Sequence, residues 1–251
     1  MRLENKVAVI TGIGSGMGRT AALRFAKEGA RLAVGDINVA GGEETVQMVK
    51  DAGGTVVWIP TNIADPAQVA NLMKEAHAAY GKIDILYNNA GIGPPADTRV
   101  TDLAEETWDL TLGVNLRGTM LCCKYGIPYL MESGGSVINV ASIAGIRSNN
   151  LLPSTSYTVS KAGIIALTRQ VATDYAKHKV RVNAICPGPI HTPTLDPFFA
   201  DPEVERRFKE RIPLGRMGTT EDVVNLTLFL ASDEAAWITG SIITIDGGIT
   251  S

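Results

Sequence analysis

Tyr157-Thr-Val-Ser-Lys161 sets a phenol and an ammonium four residues apart. On a helix that spacing puts both on one face, about one turn apart. An unperturbed phenol ionises near pH ~10 and is a poor base at neutral pH. A neighbouring cation favours the phenolate, so the pair predicts a pKa lowered by roughly 1–3 units. Such a pair can exchange a proton with an alcohol or carbonyl oxygen. Tyr and Lys also meet at this spacing in many helices without any chemistry, so the pair gains meaning only from what surrounds it.

A second chemical signal stands at the other end of the chain. The apolar run Val7 to Ile10 leads into Thr11-Gly-Ile-Gly-Ser-Gly-Met-Gly18 and then a helical pattern. Strand, glycine-rich turn and helix bring phosphate oxygens against the backbone N–H groups of a helix N-terminus. The register G-x-G-x-x-G fails, because from Gly12 it needs glycine at Met17; the spacing that fits is Gly12-x-x-x-Gly16-x-Gly18. Asp36 closes the next strand, at the approximate separation at which an acid bonds adenosine ribose hydroxyls. A carboxylate there repels the 2′-phosphate of NADP, and neither Ile37, Asn38 nor Ser15 offers a cation. NAD is therefore expected over NADP, although a helix-capping acid before Val39 would look the same in sequence.

The elements needed to position these groups alternate almost from end to end. Strand patterns at 7–10, 31–35, 55–59, 83–87, 136–140, 180–185 and 241–245 are separated by helical patterns at 17–28, 39–52, 66–80, 105–131, 156–177 and 220–231. Asp65 before Pro66 is an expected N-cap. Continuous apolar strands between helices predict an α/β fold whose parallel sheet is covered on both faces. No linker or repeat divides the chain, so residues 1–251 are expected to form one dinucleotide-binding and catalytic domain. The segment from Pro187 to about Arg216 reads as long and irregular, and its part from about 188 to 216 as a lid over a ligand.

Composition excludes several alternatives. A formal charge of −3 shows no basic footprint for nucleic acid or a membrane surface. Cys122, Cys123 and Cys186 have no metal or redox spacing, and His77, His178 and His191 are scattered, so no metal is expected. No stretch approaches the ~20 apolar residues of a membrane span, and the N-terminus is too short and acidic for a signal peptide. The default expectation is a cytoplasmic protein.

Together the motifs resemble the single-domain short-chain dehydrogenase/reductases. The resemblance rests on Thr11-Gly-x-x-x-Gly-x-Gly18, Asn88-Asn-Ala-Gly91, Tyr157-x-x-x-Lys161 and Pro187-Gly188, in family order, and runs from about residue 5 to the C-terminus. It implies a Rossmann-type doubly wound sheet of about seven strands and hydride transfer between NAD(H) and an alcohol or carbonyl carbon. By this resemblance Tyr157 is the general acid/base, Ser142 holds the substrate oxygen, and Lys161 tunes the phenol and binds the nicotinamide ribose. Asn115 holds a water linking Lys161 to solvent. The implied cofactor site comprises Gly12, Ser15, Gly16, Met17, Gly18, Asp36, Asn62, Ile63, Asn89, Ala90, Gly91, Tyr157, Lys161, Pro187, Ile190 and Thr192. A homotetramer is implied as well, with helices 105–131 and 156–177 at its dimer faces.

Two departures stand out: Asn62 replaces a common Asp, and Ser142 and Tyr157 lie about two residues further apart than usual, the extra length falling in 147–154. Leu195, Phe198, Phe199 and Phe208, with Pro94, Pro95, Leu151 and Leu152, suggest an apolar secondary alcohol or ketone as substrate, cyclic ones included. Arg206, Arg207, Lys209 and Arg211 would suit the anionic tail of an acyl-carrier thioester, but a solvated helix face is the preferred reading. A non-catalytic NAD-binding regulator is the rival from another class, since fold does not fix function. A nucleotide-sugar epimerase fits the glycine spacing poorly.

Overall fold

A computed structural model of the protein describes residues 1–147, 153–193 and 202–251. Seven parallel strands form one sheet: β1 (Val7–Thr11), β2 (Arg31–Gly35), β3 (Thr55–Trp58), β4 (Ile85–Asn88), β5 (Gly135–Val140), β6 (Val180–Pro187) and β7 (Ile242–Ile245). Their order is β3-β2-β1-β4-β5-β6-β7. Consecutive strands run outward from β1 on one side and from β4 on the other, so the order reverses between them. In open α/β sheets the crevice beyond the carboxyl ends of the strands at such a reversal is the ligand-binding position.

The strands are apolar throughout because both faces are covered. Ala8, Ile10, Leu32 and Val34 pack with Phe25, Val49, Val223 and Leu228 on one face. The alternate residues Val9, Ala33 and Leu86 pack with Leu72, Met73, Leu121 and Ile127 on the other. Period-two alternation within continuously apolar strands is what a doubly covered sheet requires.

The helices are α1 (Gly16–Lys27), α2 (Val39–Asp51), α3 (Pro66–Tyr80), α4 (Glu105–Thr111), α5 (Gly118–Leu130), α6 (Thr155–Tyr175), α7 (Pro202–Arg211) and α8 (Thr220–Ala231). Asp65 caps α3 as expected, accepting from the N–H groups of Ala67 and Gln68 at 2.8 and 3.3 Å. Among the described residues no helix is long and apolar enough to cross a membrane.

Two elements differ from the sequence expectation. The stretch 105–131 is not one regular helix: a π turn, Leu112–Arg117, separates α4 from α5 and carries Asn115. Hydrophobic spacing does not reveal a single wide turn, and such turns often occur at functional sites. The second difference is α7, which lies in the segment read as irregular. It buries little, so it leaves almost no apolar period to read. Its support is local: Arg206 pairs with Glu203 and Glu210, Arg207 with Glu203, and Lys209 with Glu205, at helical i,i+3 and i,i+4 spacings. Phe208, expected among lid residues, is buried with Ile212 and Met217. Leu151, Leu152, Leu195, Phe198 and Phe199 lie outside the described residues.

Candidate active site

The carboxyl ends of β4 and β5 and the first turns of α6 bring Ser142, Tyr157, Lys161 and Asn115 together. Ser142 follows β5 and turns the chain, its Oγ accepting from the Ala144 N–H at 3.1 Å. Lys161 is buried, with Nζ donating to the Val140 carbonyl at 2.8 Å. The same nitrogen stands 5.5 Å from the centroid of the Tyr157 ring, so the helical spacing of the two side chains is realised.

The electrostatics run against the sequence expectation. The Tyr157 pKa is raised, not lowered. Burial is the largest cause, the nearby Cys186 thiol adds to it, and the hydrogen bond with Ser142 opposes both. Burial also pulls Lys161 down to about 8. The ammonium is itself desolvated and spends a hydrogen bond on a carbonyl, so it does not outweigh the cost of a buried phenolate. Sequence spacing shows which groups meet but not how dry their meeting place is.

Asn115 is fully buried and its side chain is engaged on both sides. Oδ1 accepts from the Ile92 N–H at 2.8 Å, while Nδ2 donates to the Ile92 carbonyl at 2.9 Å and to Ser160 Oγ at 3.1 Å. It therefore ties the strand-exit loop to α6. A Cβ built on Gly91 would lie 3.2 Å from Asn115 Oδ1 and 3.5 Å from Lys161 Nζ, which places both around Gly91.

The glycine turn packs the chain too tightly for side chains. Gly12 has φ +75°, and a Cβ there would stand 2.7 Å from Ala90 Cα; one on Gly18 would stand 1.9 Å from the Gly12 carbonyl oxygen. The turn is fixed to β4 by Asn89, whose Nδ2 donates to the carbonyls of Thr11 and Gly12 at 3.1 and 2.9 Å, and by the Ala90 N–H donating to Thr11 Oγ1 at 3.2 Å. Asn89 Oδ1 is buried with no partner. Asp36 accepts from the N–H groups of Gly14 and Asn38, each at 2.7 Å.

Across the turn, a Cβ on Gly16 would lie 3.5 Å from Thr192 Cγ2, so Thr192 faces the N-terminus of α1. A cleft of about 610 Å³ opens there, with Ser15, Arg19, Thr20 and Thr220 in its wall. Pro187 ends β6, and Ile190 is buried beyond it. Asn62 Oδ1 accepts from the Ala64 N–H at 3.0 Å. The side chains of Met17 and Ile63 pack against the two cores.

Sequence reasoning missed three residues. Gly14 carries the N–H held by Asp36, but falls outside the glycine spacing that fits. Cys186 sits at the end of β6 with burial raising its thiol to about 11; a lone cysteine has no spacing that marks it in sequence. Asp97 reaches the first turn of α6 from a loop with no recognisable pattern. Among the described residues no group of three or more His, Cys, Asp or Glu is placed to hold a metal ion.

Three features suit a dinucleotide. The glycines draw strand, turn and helix together more closely than any Cβ allows, a carboxylate closes the second strand, and the Asn89 side-chain carbonyl is a buried acceptor that wants a donor.

Comparison with known proteins agrees with this geometry. Residues 12–250 match the family model described as enoyl-(acyl carrier protein) reductase. The chain is 40% identical to 3-oxoacyl-[acyl-carrier-protein] reductase FabG of Thermotoga maritima over 251 residues, 99% of each chain. It is 35% identical to meso-2,3-butanediol dehydrogenase of Serratia marcescens, over 100% of this chain and 97% of that one. The crystal structure of levodione reductase superposes with a TM-score of 0.92 at 33% identity, covering 98% of both chains.

Proposed function

The chain belongs to the short-chain dehydrogenase/reductase family, and we propose that it interconverts a secondary alcohol and a ketone with NAD(H). The observation that carries this reading is the convergence of Ser142, Tyr157 and Lys161 beside a glycine groove closed by Asp36. When bound, nicotinamide supplies the carbon that takes or gives the hydride. The chain's own residues handle the proton. Tyr157 takes it from the hydroxyl in oxidation and returns it to the carbonyl oxygen in reduction. Ser142 holds the reacting oxygen at the phenol, and this positioning supplies much of the rate. Lys161 stabilises the phenolate from below the ring, and Asn115 fixes the loop on which both rest.

Asp36 favours NAD, since its carboxylate repels a 2′-phosphate. The names of meso-2,3-butanediol dehydrogenase and levodione reductase support an alcohol or ketone substrate. A 3-oxoacyl thioester reductase is the second reading, favoured by the likeness to the Thermotoga protein. Against it, Arg206, Arg207 and Lys209 already pair with glutamates of their own helix, as a solvated face does. A panel of secondary alcohols, ketones and acyl thioesters, assayed with NAD(H) and NADP(H), separates the two readings. Turnover confined to thioesters would replace the first by the second, and no turnover with any substrate would favour a regulator.

The pH dependence has a definite sign. Oxidation needs the ionised phenol, whose pKa is raised by burial, so its rate should climb between about pH 7 and 10. Reduction needs the protonated phenol, which predominates over most of that range, and should fall only as the pH nears the raised value. The climb should become shallower once Lys161 passes its value of about 8 and stops favouring the phenolate. Initial rates in both directions test this, and an oxidation rate independent of pH counts against Tyr157 as the base.

A further inference from the structure

Helix α6 carries Tyr157 and Lys161, yet its N-terminus is capped from elsewhere in the chain. Ser154 occupies the capping position without making a side-chain cap bond, and the first turn contains no acidic residue. The acceptor comes from the loop after β4. Asp97, only 9% exposed, takes the Ser156 N–H on Oδ1 at 3.1 Å and the Tyr157 N–H on Oδ2 at 2.8 Å. Beside it, the Thr98 carbonyl accepts from Thr155 Oγ1 at 2.7 Å.

A carboxylate accepting two N–H groups at a helix start is both a cap and a charge opposite the positive end of the helix dipole. The same loop runs under the phenol. A Cβ on Gly93 would lie 3.7 Å from Tyr157 Cδ2. One residue earlier, Ile92 is clamped by Asn115, which also holds Ser160 of α6. The loop and the first two turns of α6 are therefore tied on both sides of the ring, by Asp97 before it and by Asn115 after it. The Pro94 carbonyl accepts from the Asp97 N–H at 3.0 Å, which stiffens the loop between the ties.

We propose that Asp97 is a positioning residue for the Tyr157 phenol, holding the ring beside the Gly93 backbone through the first amides of α6. As a contribution to turnover, this rests on the reading of Tyr157 as the proton-transfer group. The charged and titratable groups facing the ring are Lys161 from α6 and Cys186 from β6, with the Ser142 hydroxyl beyond β5, while the Asp97 carboxylate meets the backbone amides of the helix start. Removing the Asp97 carboxylate takes a negative charge from the helix start. That loss makes the phenol easier to ionise.

The test is an ultraviolet difference titration of the phenol in the full chain, with Tyr157→Phe as the blank. In Asp97→Ala the Tyr157 midpoint should move down by about half a pH unit or more. Asp97→Asn, which keeps an acceptor oxygen, should move it less. In parallel, kcat for reduction at neutral pH, where the phenol stays protonated, should fall about tenfold in Asp97→Ala with NAD(H) affinity held within about twofold, and Asp97→Asn should recover most of the loss. An unmoved midpoint in both variants overturns the proposal, even if the melting temperature drops, because a cap alone changes stability only. Where Asp97→Ala does not fold, Asp97→Asn carries both measurements. A shifted midpoint in a protein with no turnover on any substrate overturns the proposed activity and leaves the positioning of the ring supported.

Discussion

Tyr157→Phe is expected to lower turnover by about 10²- to 10⁴-fold while leaving NAD(H) binding within about twofold. The substitution removes one oxygen. The ring keeps its place over Lys161 Nζ, and the Asp97 bond to the Tyr157 N–H does not involve the side chain. What disappears is the hydroxyl bonded with Ser142, which is the atom that exchanges a proton with substrate in the proposed reaction. Stopped-flow or steady-state rates, set beside a fluorescence titration of NADH, separate the chemical step from binding. Near wild-type turnover from the folded variant would remove Tyr157 from the mechanism.

The size of that effect draws on a site whose parts were unequally visible in sequence. Local rules gave the strands, since β-branched apolar runs bounded by helical patterns have few other solutions. They also placed the cap at Asp65 and the Tyr157–Lys161 face of α6, because each depends on neighbours a few residues away. Contacts across the chain were another matter. Asp97 meets Tyr157 sixty residues on, and no residue type or spacing announces it. Asn115, on the π turn, finds its partner in the loop after β4. The phenol's ionisation depends on burial contributed by several elements at once, so the expected downward shift came out upward. Charged α7 escaped for the opposite reason: it is held by pairs within itself and buries too little to show a period.

Cofactor choice should turn on Asp36, and Asp36→Ala is expected to weaken NAD binding about 10- to 100-fold, the scale of losing a hydrogen bond to a charged group. The structure gives that loss two sources. Each carboxylate oxygen already accepts one backbone N–H, from Gly14 and from Asn38, and keeps lone pairs for ribose hydroxyls. The variant therefore loses the proposed ribose contact and also unties Gly14, loosening the turn on which both cofactors depend. Loosening alone would weaken NAD and NADP alike. Loss of the carboxylate should weaken NAD but relieve the repulsion of a 2′-phosphate, so the ratio of the two affinities is the informative quantity, and it should move toward NADP. Asp36→Asn sharpens the comparison, because it removes the charge and keeps an acceptor for the Gly14 N–H. NADP should not become tightly bound in either variant. Arg19 donates to the Gly14 carbonyl at 2.7 Å and pairs with Glu44, so its charge is committed to the turn and not presented to a phosphate. Titrations with both cofactors decide the matter: an unchanged ratio in both variants would mean that Asp36 serves the turn alone, and that NAD preference, if the protein has one, comes from elsewhere in the groove.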